Sequence, residues 1–196
     1  MKEIILITGM AGVGKTTILK ELKKIANEKK KNMSILNFGT VMDSILKDKG
    51  MVLKRDAIRK QKIKEQKNIQ IKAAETILRK LKKEILIIDT HVFIPTEAGF
   101  LVGLPYEVLK KLEPSMLVLI EASARDILKR RNFSSNRIRD KQTIEEIELG
   151  LEWSRYIASA CSTLAGIPVK IIVNKEGKQK QVAKSLFNIL NEQFGE

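Results

Sequence analysis

Gly9-Met10-Ala11-Gly12-Val13-Gly14-Lys15-Thr16 has the residue types and spacing of G-x-x-x-x-G-K-[ST]. Glycines at these positions let the backbone curl so that several N–H groups point into one concavity, with the positive end of a following helix aimed at the same place. A chain of phosphates fits such a cradle. Lys15 reaches the outer phosphates, the Thr16 hydroxyl is placed to ligate Mg²⁺, and Gly9, Met10, Ala11, Gly12, Val13, Gly14 and Thr17 complete the binding loop. The pattern means nucleoside triphosphate binding without fixing the reaction, because the loop serves kinases, GTPases, motors and switches alike.

The loop must sit between a strand and a helix, and the sequence supplies both. Short apolar runs alternate with segments of helical period, the pattern of an α/β domain with a mainly parallel sheet. Five strands are expected: Glu3 to Thr8, Ser34 to Phe38, Ile85 to Asp89, Met116 to Glu121, and Val169 to Asn174. Each is rich in Ile, Leu or Val, as a sheet covered on both faces requires. Helices are expected over Lys15 to Lys30, Thr143 to Ala165 and Gln179 to Phe194, with Ile69, Ala73, Ala74, Ile77 and Leu81 marking the buried face of another.

The chain has 196 residues and a formal charge of +14, from 37 Lys and Arg against 23 Asp and Glu. One domain is expected at this length. The stretch 47–83 alone holds 14 basic and four acidic residues. It contains no aromatic residue that could stack a base, so nucleic-acid binding there is at most nonspecific and falls steeply with salt. One cysteine, Cys161, excludes an intrachain disulfide framework, and one histidine with one cysteine cannot build a zinc site. No apolar run approaches the roughly 20 residues that span a bilayer, so no membrane partner is expected, and a reducing, cytoplasmic home is read from these features together.

A GTPase needs an Asp-x-x-Gly after its metal-binding strand, whereas Asp89-Thr90-His91-Val92 lacks the glycine. Asn174-Lys175-Glu176-Gly177 imitates a guanine-reading motif but puts Gly177 where the carboxylate belongs. A motor of the AAA type would normally carry an acidic pair after the metal-binding strand and a larger chain. What remains is a compact enzyme that moves a phosphoryl group to a small acceptor. That chemistry depends on positioning and charge neutralisation, for which guanidinium groups are suited. Arg55, Arg59, Arg130, Arg131, Arg137, Arg139 and Arg155 supply them in clusters.

Beyond the phosphate loop, the chain carries Asn37-Phe38-Gly39-Thr40-Val41-Met42, Arg55-Asp56-Ala57-Ile58-Arg59-Lys60, Asp89-Thr90-His91, Gly103-Leu104-Pro105, Arg130-Arg131, Arg137-Ile138-Arg139-Asp140 and Leu164-Ala165-Gly166 in order. In these it resembles the archaeal type of adenylate kinase over essentially its whole length. The resemblance implies a P-loop NTPase core (1–38, 84–130, 143–196), a helical AMP-binding insertion near 39–83 and a short lid near 131–142. It also implies the reaction ATP·Mg + AMP ⇌ 2 ADP and a homotrimer. Carried over by position, Lys15, Arg131, Arg137 and Arg139 act on the transferring phosphoryl group. Thr40, Arg59, His91 and Arg155 form the AMP side, and Thr16 with Asp89 holds Mg²⁺, partly through water.

The common bacterial pattern runs Asp-Gly-[Phe/Tyr]-Pro-Arg after the third strand. Here Asp89-Thr90-His91 stands instead, so the arginine for the acceptor phosphate comes from elsewhere. Phosphoryl transfer to a phosphate needs no general base, so His91 reads as a hydrogen-bonding wall of the acceptor pocket. Cys161 reads as a small buried residue, and Trp153 and Tyr156 as packing residues. Two further functions stay open: a kinase of another nucleoside monophosphate, and a nucleotide-dependent RNA- or ribosome-associated protein.

Overall fold

A computed structural model describes residues 3–48, 62–80, 85–96, 99–133 and 142–195. Its elements in chain order are β1 (Glu3–Thr8), α1 (Lys15–Glu28), β2 (Met33–Asn37), α2 (Phe38–Asp48), α3 (Ile63–Lys80), β3 (Ile85–Asp89), β4 (Phe93–Thr96), β5 (Gly99–Val102), α4 (Tyr106–Leu112), β6 (Met116–Glu121), α5 (Ala124–Phe133), α6 (Ile144–Ala165), β7 (Val169–Val173) and α7 (Gln179–Phe194). The five expected strands form one sheet in the order β2-β3-β1-β6-β7, and every neighbouring pair in it is parallel.

Side chains alternate across a strand, and β1 divides its residues between two cores accordingly. Ile5 and Ile7 pack with α1 (Ile18, Leu22) and α7 (Leu186, Leu190) on one face. Ile4 and Leu6 pack with α2 (Phe38, Met42), α3 (Ile77), α4 (Leu109) and α6 (Ala158, Cys161) on the other. Ile5, Leu6 and Ile7 are each 0% exposed, and burial on that scale stabilises by about 2 kcal/mol per side chain. β1 is therefore a rigid base for the loop that leaves its C-terminal end.

Three findings differ from the sequence reading. A second, two-stranded antiparallel sheet, β4 paired with β5, stands where none was expected, because its strands are only four residues long and carry Pro95 and Gly99. It is closed at its base by Gly103 N–H donating to Val92 O at 2.8 Å. Next, β7 is not covered on both faces. It pairs only with β6, and Val169, Ile171 and Val173 are 37%, 44% and 52% exposed. Finally, Trp153 and Tyr156 are exposed rather than packed in the core. They continue a row of rings, Phe93–Phe100–Trp153–Tyr156, that runs from the small sheet along α6 with centroid separations of 4.8, 6.1 and 6.3 Å. Cys161 is buried as expected. Among the described residues no helix is long and apolar enough to cross a membrane.

Candidate active site

The phosphate loop lies between β1 and α1, where the parallel order leaves the C-terminal ends of β3, β1 and β6 side by side. Ligands of open α/β sheets collect at this edge. α1 begins at Gly14 with no side-chain cap and no acidic residue in its first turn. By contrast, α6 starts with a full capping box, the Thr143 hydroxyl accepting from Glu146 N–H while the Glu146 carboxylate accepts from Thr143 N–H. The open end of α1 keeps its orphan donors and its positive dipole end for an anion from outside.

Lys15 is 8% exposed and its Nζ donates to Gly9 O at 2.6 Å, so the ammonium is folded over the loop. His91 reaches the same carbonyl, with Nδ1 3.1 Å from Gly9 O. A carbonyl only accepts, which fixes the proton on Nδ1. His91, expected as a wall of the acceptor pocket, thus touches the phosphate loop itself. Thr16 and Thr17 lie exposed on the first turn of α1.

Asp89 ends β3 directly beside β1, paired in register with Ile7. Its Oδ2 accepts from Asn37 Nδ2 at 2.7 Å, and its Oδ1 is buried with no hydrogen-bond partner. Asn37 Oδ1 in turn accepts from Thr40 N–H at 3.0 Å and from the Thr40 hydroxyl at 3.3 Å, so Asn37 caps α2 and joins Thr40 to Asp89. An orphaned carboxylate oxygen is a costly thing to bury, and it suits a cation or its water shell. The hard oxygen set of Asp89 and Thr16 fits Mg²⁺.

On the other side of the loop, Arg131 donates from Nε and Nη2 to Ala11 O at 2.9 and 2.7 Å, and from Nη1 to Gln142. Arg130 spreads its fork over three carbonyls: Nη1 to Gly12 O and Val13 O at 3.4 and 3.2 Å, and Nη2 to Asn174 O at 3.4 Å. The Glu176 carboxylate holds it, accepting from Nε and Nη2 at 3.0 and 2.8 Å. Asn174, fully buried at the end of β7, donates from Nδ2 to Val13 O at 2.7 Å.

Lys15, Thr16, Asp89, His91, Arg131 and, through Asn37, Thr40 are therefore brought together around one loop. Arg155 is not among them. Its Nε and Nη2 donate to the two oxygens of Glu121 at 2.7 Å each, and this carboxylate keeps the guanidinium charged more firmly than usual. Glu121 ends β6, which the sheet order puts on the opposite side of β1 from β3, so Arg155, expected on the acceptor side, is tied to the end of β6. Arg59, Arg137 and Arg139 lie outside the described residues. Sequence reasoning counted Arg130 among the clustered arginines without giving it a partner, and singled out no site role for Asn37 or Asn174. The usable signal for Asn37 and Asn174 was an Asn at the C-terminal end of a parallel strand.

Residues 8–148 match the family model described as an AAA domain. An adenylate kinase of Sulfurisphaera tokodaii is 38% identical over 187 residues, covering 93% of this chain and 96% of that protein. One of Thermoplasma volcanium is 40% identical over 184 residues, with 94% and 97% covered, and one of Methanocaldococcus jannaschii is 38% identical over 192 residues, with 96% and 98% covered. Among solved structures, a shikimate kinase from Acinetobacter baumannii in complex with shikimate superposes with a TM-score of 0.55 at 15% identity, over 100% of this chain and 97% of that one. That likeness is one of fold.

Proposed function

The chain belongs to the adenylate kinase family, on a core that belongs to the AAA-domain family, and from this premise we propose that it catalyses ATP·Mg + AMP ⇌ 2 ADP as an archaeal-type, cytoplasmic homotrimer. The observation that carries the reading is the near full-length likeness to adenylate kinases at 38–40% identity, and the loop supports it with an uncapped helix end, a lysine folded over it, and an orphaned Asp89 oxygen beside it.

In the reaction the bond from the γ-phosphorus to the β,γ-bridging oxygen breaks and a bond from that phosphorus to an AMP phosphate oxygen forms. The acceptor oxygen is already anionic, so no proton needs to move in that step. The protein's work is positioning, neutralisation and exclusion of water. Lys15 and the loop amides hold the triphosphate. Mg²⁺, when bound, neutralises phosphate charge; Asp89 and Thr16 are the residues that would hold it. Thr40, Arg59 and His91 serve the AMP side, with 39–83 as the helical insertion that binds it. Arg131, Arg137 and Arg139, in and beside a lid over 131–142, close over the transferring group.

The homotrimer is supported by the uncovered apolar strand β7 and by the exposed rings of Phe100, Trp153 and Tyr156; apolar surface of this extent marks a contact with another protein. Base specificity is tested by offering AMP, CMP, UMP and GMP in turn. AMP should give the highest kcat/KM, and AMP ranking last would overturn the assignment in favour of another nucleoside monophosphate.

A further inference from the structure

Five side chains around the loop act on one series of four carbonyls. Gly9 O takes Lys15 and His91, Ala11 O takes Arg131, Gly12 O takes Arg130, and Val13 O takes Arg130 and Asn174. In a planar trans peptide the C=O and N–H of the same unit point in opposite directions. Gripping a carbonyl therefore turns the N–H of its own peptide unit, that of Met10, Gly12 or Gly14, the opposite way, while Val13 N–H makes a long bond of 3.4 Å back to Met10 O within the loop. We infer that Arg130 and Asn174 are positioning residues that hold the phosphate-loop peptides with their amides turned toward the phosphates, and that Glu176 in turn fixes Arg130.

The glycines of the loop fit the same account. Gly14 has φ +94°, and a Cβ there would collide with Asn174 Nδ2. Gly12 has φ +100°, and a Cβ would lie 3.3 Å from Arg131 Nε. Both positions therefore need glycine for their backbone conformation, and also because the donors approach where a side chain would stand. The segment Asn174-Lys175-Glu176, which imitates a guanine-reading motif in sequence, here reaches the loop with its first residue and holds Arg130 with its third. This role is available only because β7 lies next to β6, which brings the residue after it under the loop.

The test compares wild type with Arg130→Ala, Arg130→Lys and Asn174→Ala for binding of ATP and of inorganic tripolyphosphate by calorimetry. Tripolyphosphate has no base or ribose, so its affinity reads the phosphate cradle alone. Asn174 is fully buried and should act only through Val13. Arg130→Ala and Asn174→Ala should each weaken tripolyphosphate at least tenfold, raise KM for ATP more than they lower kcat, and shift the Gly14 amide signal in ¹⁵N spectra of the unliganded protein. Arg130→Lys keeps the charge but loses the fork, and should fall between. Tripolyphosphate affinity and the Gly14 amide signal unchanged in the Arg130 variants would overturn the positioning role even if Asn174→Ala failed to fold. A wild-type chain that bound neither ATP nor tripolyphosphate would instead sink the phosphate-site reading itself.

Discussion

Asn37 Nδ2 lies 2.7 Å from Asp89 Oδ2, so the carboxylate that ends β3 is fixed by the residue that ends β2 and has one oxygen to offer. Asp89→Asn should keep the shape and remove the charge. The expected outcome is a fall in kcat of roughly a hundredfold or more, the scale of losing a preorganised electrostatic group, with a weaker dependence on Mg²⁺ and little change in thermal midpoint. A Mg²⁺ titration of the variant's initial rate checks this. Asn37→Ala should show a milder form of the same defect, since the carboxylate remains but is no longer held.

Arg137→Ala and Arg139→Ala should each lower kcat at least about tenfold while leaving ATP affinity near the wild-type value, because contacts to the transferring group strengthen in the transition state. Steady-state kinetics with separate binding measurements decide it. Unchanged kcat in both variants would remove the two arginines from the site.

The Cys161 thiol is pushed up to about 11 by burial. In the folded chain it should therefore resist a thiol-directed disulfide reagent at pH 8, where the attacking species is the thiolate, and react fully in denaturant. The raised value also fixes a sign for stability. The contribution is fully present below the thiol's ordinary value of 9.0 and is lost as pH rises from there through about 11.

Association is read from mass. Wild type should scatter light as three times the 22.2 kDa chain. Trp153→Glu and Ile171→Glu place a charge on the aromatic row and on the uncovered strand, and at least one of them should shift the population toward smaller species. A wild type that is monomeric at micromolar concentration would contradict the trimer.

Much of this fold was legible in the sequence because the parallel sheet writes itself as unbroken apolar runs. The Ile4 to Ile7 and Leu86 to Ile88 stretches are buried on both faces. The helix over Gln179–Phe194 was likewise readable from its period. The β4–β5 hairpin was not, since strands of four residues with a proline carry no period long enough to detect. Exposure was the second gap. Val169, Ile171 and Val173 look like core by composition, and only the place of β7 at the sheet edge leaves them uncovered. The loop and Lys15 were legible from spacing because backbone geometry forces the glycines. The contacts of Arg130, Asn174 and Asn37 were not, because each acts through a carbonyl or a carboxylate remote in sequence. The pairing of Arg155 was not legible for the same reason, its partner Glu121 lying 34 residues away.

The central claim is that two nucleotides meet at this loop, and phosphorus NMR of the protein with Mg²⁺, ATP and AMP tests it most directly. The prediction is rapid ADP formation that stops with diadenosine pentaphosphate, which fills both sites at once, and that is absent in Lys15→Ala. Slow ATP hydrolysis indifferent to AMP and to the bisubstrate would contradict it.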